Sequence, residues 1–447
     1  MAVSPASQRG DRLDAATGPD RPANRRVAVA LQLMVIAVIV LQRFAVPGIG
    51  TALCLPVVLA ILAYLVHERA VVLDTMRTRL YLLAVGTCCA ATLLSAAYSK
   101  DEWSLKSLAL LVVLYVPFCL RLRPNLRNLY RPLLEFFNTI MLVVACVALT
   151  QWTAQLAGWT YSDPLDLVPD QFLSQTYNTT YPVYYGSPIM KANAFIFLEP
   201  SFCSQFLAVA IIVQLLLGRS RWRLPVYAAA LLATVSGTGI ILLGVGLAVL
   251  AVRRGPAWTA RILLLLLLVG VMLLSTPLAE ILARRSSEQA ARGSSAQARF
   301  VAPYVLIASG LTADIPTLLV GRGPGIVSRT AGTEQFNAER VEANYPVIPK
   351  LAAEYGVIAA MVFSWFAIVA ISNRTPSFTV SIMMLVGYFV LSGSLLQPHT
   401  VLLAYVLTSL FAARPGDARS GSNRVNGRPE PATGRAEAVA STVAGAS

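Results

Sequence analysis

Apolar runs of near-spanning length, separated by polar and charged segments, dominate the chain from residue 27 to residue 413. Each approaches the ~20 residues that an α-helix needs to cross the hydrocarbon core of a bilayer. They predict spans at about 27–41, 49–66, 80–97, 105–120, 133–156, 195–217, 261–275, 357–371, 380–395 and 401–411. With residues 224–252 counted as two short spans, the pattern predicts an all-α, polytopic integral membrane protein with about 12 transmembrane helices.

The stretch 224–252 is long for one span and short for two. Ser236-Gly-Thr-Gly239 lies in its middle, and Arg253 and Arg254 close it. Glycines allow a turn, and non-helical backbone is tolerated at membrane depth where it is buried or lines a cavity. A turn would also bring the arginines back to the side on which the stretch began. We therefore favour two short spans that meet at a break.

Four polar segments divide the rest of the chain. Residues 1–26 and 414–447 are polar and rich in small residues, which predicts disordered tails on either side of a membrane domain at 27–413. Residues 158–194 and 277–356 predict two long loops inside that domain. Arginines concentrate in the other loops, so the positive-inside rule puts both termini in the cytoplasm and the two long loops outside.

Composition supports the membrane interpretation. The chain is 56% hydrophobic and 13% charged, with a mean hydropathy of +0.64, whereas soluble domains carry about 25% charged residues. A formal charge of +14 raises the question of a nucleic-acid partner. No soluble basic domain is present to carry such binding, and excess arginine is ordinary in the cytoplasmic loops of a membrane protein. Nucleic acid is therefore excluded as a partner.

The first long loop leads into a conspicuous acidic residue. The loop is rich in Tyr, Asp, Pro, Asn and Thr, and its one lysine is Lys191, a composition that suits either sugar binding or an ordinary interfacial loop. Glu199 opens the next span, beside Pro200 and Ser201. Ionisable residues inside spans are costly and are functional by default, although Glu199 could instead snorkel or cap its own helix. Pro200 would free a backbone carbonyl that Ser201 could rebond.

The second long loop carries arginines against the positive-inside bias. Most of them can be solvated charges, because long external loops escape that rule. Arg299 begins a helical piece, and Arg322 lies in Gly321-Arg-Gly-Pro-Gly325, which cannot be regular helix and predicts a backbone turn that fixes Arg322 in place. Guanidinium groups match phosphate oxygens with a fixed fork of donors. The glycine-rich turn is not a nucleotide-binding fingerprint, because no strand–helix frame accompanies it.

Five short elements occur in a fixed order: Phe197-Leu-Glu-Pro-Ser201 with Ser204; Ser236-Gly-Thr-Gly239; Arg299-Phe300; Gly321-Arg-Gly-Pro-Gly325; and Asn344-Tyr345 followed by Lys350-Leu-Ala-Ala-Glu-Tyr-Gly356. With their spans they resemble the bacterial O-antigen polymerase and O-antigen ligase superfamily over about residues 30–412. Ligases of that superfamily carry His where this chain has Ala343. Gly237 stands where the family often has Arg, which puts a catalytic role for that element in doubt. The resemblance therefore favours a polymerase of the exopolysaccharide or capsule branch.

The resemblance implies glycosyl transfer at the periplasmic face of the bacterial inner membrane, from a growing glycan on undecaprenyl pyrophosphate to a lipid-linked repeat unit. It implies pyrophosphate binding by Arg299 and Arg322, with Arg340 in reserve, and a general base at Glu199 or Glu342. The other candidate substrate-binding residues are Asn344, Tyr345, Glu354, Ser201 and Lys191. No cofactor is implied, and no acidic cluster suggests a metal. Membrane lipid, a chain-length regulator and a flippase are the implied partners.

Three alternatives stay open from the sequence. A ligase-type transferase would use the same lipid-linked donor with a different acceptor. A flippase for lipid-linked sugars or a proton-coupled carrier would also suit many spans, a broken helix pair and an intramembrane carboxylate. A noncatalytic assembly scaffold would tolerate the loss of Arg299. Dependence on the loop arginines separates the enzymes from the carriers and the scaffold.

Overall fold

The structure, a computed structural model, describes residues 21–98, 103–174, 177, 179–184, 186–218, 220–260, 303–304, 314–327, 346–391 and 393–413. Most of these residues are helical, as predicted. The helices are α1 Arg21–Val40, α2 Cys54–His67, α3 Thr75–Tyr98, α4 Leu105–Tyr115, α5 Tyr130–Leu156, α6 Pro200–Leu217, α7 Arg223–Ala233, α8 Gly237–Arg254, α9 Ile315–Val320, α10 Val347–Ser372, α11 Phe378–Val386 and α12 Pro398–Leu407.

Five helical segments of the described chain are long and apolar enough to cross a membrane: Thr75–Tyr98, Pro124–Leu156, Pro200–Leu217, Gly237–Arg254 and Val347–Ser372. Five further apolar helices are shorter: Cys54–His67, Leu105–Cys119, Arg223–Ala233, Phe378–Leu391 and Pro398–Phe411. The count of about 12 spans stays a prediction, and the span predicted at 261–275 lies outside the described residues. A small antiparallel ribbon, β1 Val71–Leu73 with β2 Leu120–Leu122, is an element that the all-α prediction did not include.

Helix α6 lies at the centre of the described bundle, buried along most of its length and in contact with α5, α7, α8 and α11. Pro200 stands at its first helical position, where a missing N–H breaks no intrahelical bond, so the carbonyl predicted to be freed by Pro200 is not freed. Gly218 ends the helix with a left-handed φ of 69°. Helix α8 approaches so closely that a Cβ on Gly239 would come within 2.6 Å of the Ser204 backbone.

The predicted break in 224–252 is present. Helix α7 ends at Ala233 and α8 begins at Gly237, with Ser236 extended and Val235 at a positive φ of 44°. Two helices therefore replace one over-long span.

Two arginines close one end of the bundle by hydrogen bonding to carbonyls that helix ends leave unpaired. Arg77 donates to the carbonyls of Ser409 and Asn373 at 2.8 and 2.9 Å, and Arg127 donates to that of Ala412 at 3.1 Å. From the sequence, these arginines were predicted to mark cytoplasmic loops. In the fold they also connect α3 and the segment just before α5 to the residues that follow α10 and α12.

The candidate site lies at the opposite end of the bundle. Helix α5 starts at the arginine end, where Tyr130 packs on Phe411, and runs to Gln151, which hydrogen bonds to Asn193 just before α6. Helices α6, α10 and α12 run from this second end toward the arginines. Their first residues consequently share one end of the bundle, which we call the site end.

Candidate functional site

A glycine-rich turn, Gly321–Gly325, is fixed against the kink of α10. Its backbone hydrogen bonds run from the Arg322 N–H to the Ala353 carbonyl, at 3.0 Å, and from the Gly323 N–H to the Glu354 carbonyl, at 2.9 Å. These carbonyls lack intrahelical partners because Gly356 leaves the helix with φ 78° and ψ 171°. The turn thus replaces the bonds that the kink removes.

Glycine is required on both sides of this contact. A Cβ on Gly321 would lie 2.6 Å from the backbone nitrogens of Tyr355 and Gly356, and a Cβ on Gly356 would overlap the carbonyl group of Leu319. Both glycines also have positive φ, at 72° and 78°, where L side chains are strained. The sequence Gly-x-Gly-Pro-Gly and the later Glu-Tyr-Gly therefore form one backbone interface between α9 and α10.

The turn also contacts the start of α4. The Ser104 N–H donates to the Pro324 carbonyl at 2.7 Å, and a Cβ on Gly325 would lie 2.7 Å from that of Ser104. Two chain segments, α10 and the residues just before α4, hold the turn by hydrogen bonds, so the predicted backbone turn at Arg322 is present.

Arg322 is half-buried on this turn, and its charge acts on Asp314 at the start of α9. The Asp314 carboxylate accepts the Thr317 N–H at 2.6 Å and caps the short helix. These hydrogen bonds are the largest cause of a lowered pKa for Asp314, and Arg322 contributes to the same shift.

Glu354 is fully buried beneath the turn. Its nearest cation is Lys350, whose Nζ lies 3.9 Å from Oε1, and the backbone amide of Gly325 also interacts with the carboxylate. Lys350–Gly356 was predicted to be the end of the second long loop; in the structure these residues belong to α10, up to its kink at Gly356. Burial beneath the turn argues for a structural carboxylate and against direct substrate contact.

Glu199 and Ser201 lie together at the start of α6. The Ser201 hydroxyl donates to Glu199 Oε2 at 2.7 Å. Glu199 occupies the N-cap position but its side chain makes no capping hydrogen bond, so the alternative of a self-capping glutamate does not hold. It lies at the start of α6 and is half-buried.

Lys191 is buried in the first long loop, with Nζ 4.8 Å from the centre of the Tyr181 ring. It was predicted to bind substrate; its position suits holding the loop together. Five other predicted residues, Arg299, Arg340, Glu342, Asn344 and Tyr345, lie outside the described residues, and their roles stay predictions.

No sequence pattern predicted the polar cluster of Tyr177, Gln397 and His399 that adjoins Glu199. The Phe202 ring lies 6.1 Å from that of Tyr177 and 4.6 Å from that of His399. The pKa of the Tyr177 phenol is raised by burial and by the charge of Glu199, and lowered by a hydrogen bond from Gln397. Neither of the chain's two histidines lies in the second long loop, so no sequence pattern marked His399 as a candidate site residue.

A buried ion pair supports the first long loop beside this cluster. Arg43 and Asp163 approach to 2.7 Å with side chains 6% and 3% exposed, and Arg43 also donates to the Phe195 carbonyl at 2.7 Å. Burial raises the pKa of neighbouring Tyr161 to about 12, and the charge of Asp163 adds to that shift. Within the described part of the chain, no group of three His, Cys, Asp or Glu side chains could hold a metal ion.

Comparison with known proteins gives one family. The model of the WcaD colanic acid polymerase family matches residues 30–413. No curated protein matches the sequence.

Proposed function

Because the chain belongs to the WcaD colanic acid polymerase family, we propose that it transfers a growing glycan from undecaprenyl pyrophosphate to the next lipid-linked repeat unit. Family membership makes it a polysaccharide polymerase, a glycosyltransferase-type enzyme, and its apolar helices make it a membrane protein. The further elements of the proposal are the lipid pyrophosphate donor and a reaction at the periplasmic face of the inner membrane.

The main catalytic requirement of the proposed reaction is stabilisation of the negative charge that develops on the leaving pyrophosphate. A hydroxyl of the acceptor sugar attacks the anomeric carbon of the donor, and the bond from that carbon to the pyrophosphate oxygen breaks. The bonding electrons leave with the lipid pyrophosphate, and the hydroxyl proton passes to a base. Preorganised donors aimed at such developing charge are usually the largest catalytic contribution.

Arg322 carries this proposal. Its backbone is held by α10 through the Ala353 carbonyl, and the next residue is held by Glu354, so the guanidinium extends from a rigid base. A guanidinium on a fixed backbone can bind two pyrophosphate oxygens through a bidentate pair of hydrogen bonds. It does so without the reorganisation that a mobile loop would require. Arg299 and Arg340 are the proposed additional cations of this clamp.

Glu199 is the proposed general base. It is half-buried at the site end of the bundle, at the start of the largely buried helix α6, and the Ser201 hydroxyl donates a hydrogen bond to its carboxylate. A general base must reach the proton that it removes, and a partly exposed carboxylate on a fixed helix start satisfies that requirement. Glu342 is the other candidate base.

The proposal is tested by reconstituting the protein in liposomes with the cell's own undecaprenyl-pyrophosphate repeat unit. We expect a ladder of lipid-linked oligomers from the wild type. Arg322→Ala should lower the rate by about 10²–10³-fold, as removal of one charge-stabilising donor does. Arg322→Lys should recover only part of the loss, because lysine lacks the planar fork.

Arg221→Ala is the matched control, since Arg221 is an exposed arginine between α6 and α7. Equal rates for Arg322→Ala and Arg221→Ala would remove Arg322 from the mechanism while leaving the polymerase intact. Transfer of the repeat unit across the bilayer without any ladder would instead support a carrier. Growth only when lipid A core is supplied would support a ligase.

A further inference from the structure

An apolar groove lies between α1 and α2, away from the candidate site. Its volume is about 820 Å³, within the range of about 300–1,000 Å³ that is typical of small-molecule sites. Val29, Ala30 and Leu33 line the groove from α1, and Ala60 and Ile61 line it from α2. Val29 and Leu33 are 46% and 49% exposed, so the groove opens outward between the two helices.

Two arginines stand at the mouth of this groove. Arg25 and Arg26 line it one helical turn before the apolar residues of α1 begin, and Tyr64 lines it from α2. The other end of α1 leads to Arg43, which hydrogen bonds at the site end. The mouth therefore lies at the end of the bundle opposite the site end. Arginine and tyrosine at one end of an apolar helix pair are typical of the level of the lipid headgroups.

The mouth of the groove carries a net positive charge. Among the described residues, its ion-pair partner is Glu68, whose Oε1 lies 4.0 Å from Nη1 of Arg26. The Arg26 side chain is 69% exposed and Arg25 is also exposed, so both guanidinium groups are accessible to an anion. Two guanidinium groups against one carboxylate leave one positive charge for a ligand to neutralise.

We propose that this groove binds one anionic phospholipid. The lipid phosphate accepts hydrogen bonds from Arg25 and Arg26, and one acyl chain lies over Val29, Leu33 and Ile61. Arg25 and Leu33 are about two helical turns apart, or about 12 Å along the axis of α1, so the apolar wall continues from the headgroups into the hydrocarbon. Basic pockets between transmembrane helices bind anionic headgroups through this combination of charge and apolar contact.

The groove selects among lipids by charge and is independent of glycosyl transfer. A phospholipid with one negative charge neutralises the mouth, whereas a zwitterionic phospholipid leaves its positive charge in place. Free phosphate would make no use of the apolar wall. Arg322 and Glu199 lie on other helices and the occupant of the groove is a component of the bilayer, so the site stands whether or not the proposed reaction is correct.

Native mass spectrometry of the purified full chain tests the inference. The delipidated protein in detergent is titrated with phosphatidylglycerol, which has one negative charge, and separately with phosphatidylcholine, which has no net charge. We expect one molecule of phosphatidylglycerol to bind about fivefold more tightly than phosphatidylcholine, the effect of one basic residue beside an anionic group. Because the lipid contacts both helices of the folded chain, its binding should also raise the unfolding temperature.

Variants separate the charge of the site from its shape. Arg25→Gln and Arg26→Gln should each weaken phosphatidylglycerol binding about fivefold and abolish its preference over phosphatidylcholine. Arg253→Gln is the matched control, because Arg253 is an exposed arginine in the last turn of α8, outside the groove. Ala60→Phe places a ring in the groove and should weaken binding of both lipids. Ala60 is exposed, so the ring leaves the buried core undisturbed.

Four results would overturn the inference. The first two are equal wild-type affinities for the two lipids and an equal loss of phosphatidylglycerol affinity in Arg25→Gln and Arg253→Gln. The third is unchanged lipid binding in Ala60→Phe, or full displacement of the lipid by inorganic phosphate, since either would mean that the apolar wall takes no part. The fourth is a protein dimer that Ala60→Phe dissociates, since a second copy of the chain would then cover the groove.

Discussion

The contact between the glycine turn and α10 makes a prediction that the backbone geometry determines. In Gly356→Ala, the new methyl group would overlap the Leu319 carbonyl group and lie 2.5 Å from the Val320 nitrogen. Because these are backbone atoms next to the turn, no side chain can move aside. The variant must separate α9 and the turn from α10, and Arg322 loses its fixed position.

The free energy by which Gly356→Ala weakens docking of the turn on α10 has two contributions. A non-glycine residue in the left-handed region costs about 1–2 kcal/mol. Loss of the two hydrogen bonds from the turn to Ala353 and Glu354 costs about 0.5–1.5 kcal/mol each. The docking equilibrium should therefore weaken by about 2–5 kcal/mol, a factor of about 30 to 4,000.

Trypsin provides the assay, because the peptide bond between Arg322 and Gly323 lies within the docked turn. When opening is fast relative to cleavage, the cleavage rate follows the population of the open form. Cleavage at this bond should accelerate in Gly356→Ala by up to the same factor of about 30 to 4,000. Polymerase activity should fall in parallel.

Gly244→Ala is the matched control. Gly244 lies within α8 with open space around the added methyl group, so alanine should leave cleavage at Arg322 unchanged and stabilise the helix slightly. An unaltered cleavage rate in Gly356→Ala would refute the docking argument.

Two further predictions concern charged groups outside the spans. Arg43→Met should destabilise the protein by about 3–5 kcal/mol, because it leaves the Asp163 carboxylate buried without its cation. Adding Asp163→Asn should restore much of the loss in thermal unfolding, and equal melting of the single and double variants would contradict this. The lowered pKa of Asp314 means that its cap stabilises α9 above the unfolded-state pKa of about 4 and is lost as pH falls through the folded-state pKa. Hydrogen exchange of the α9 amides should report this loss on acidification. Asp314→Asn, whose neutral amide oxygen can still cap, should abolish the pH dependence.

Local sequence features were sufficient to predict several parts of the site. Helix breaks at Ser236–Gly239 and Gly321–Gly325 were predictable because glycine and proline act within a few residues of their own position. The apolar run from 357 onward predicts a span there, and the candidate span of the structure begins earlier, at Val347. The helical piece before it was assigned to a loop, because it is short and carries Lys350 and Glu354.

Other parts depended on contacts between distant residues. Glu354 was a predicted binding residue, but the turn that buries it comes from about 30 residues earlier in the chain. Arg77 looked like an ordinary loop arginine, and its carbonyl partners lie about 300 residues away. His399 and Gln397 follow a short helical turn with no local signal, so their meeting with Tyr177 and Phe202 could not be inferred.

The sequence by itself determined a helical membrane protein, its principal helix breaks and the glycine turn that carries Arg322. These follow from hydrophobic run length and backbone restriction, which are properties of neighbouring residues. The tertiary structure alone decided which helix starts converge, which carboxylate is buried and which remains accessible. Those outcomes depend on how α6, α10 and α12 pack, because burial and hydrogen-bond partners at this site come from segments far apart in the chain.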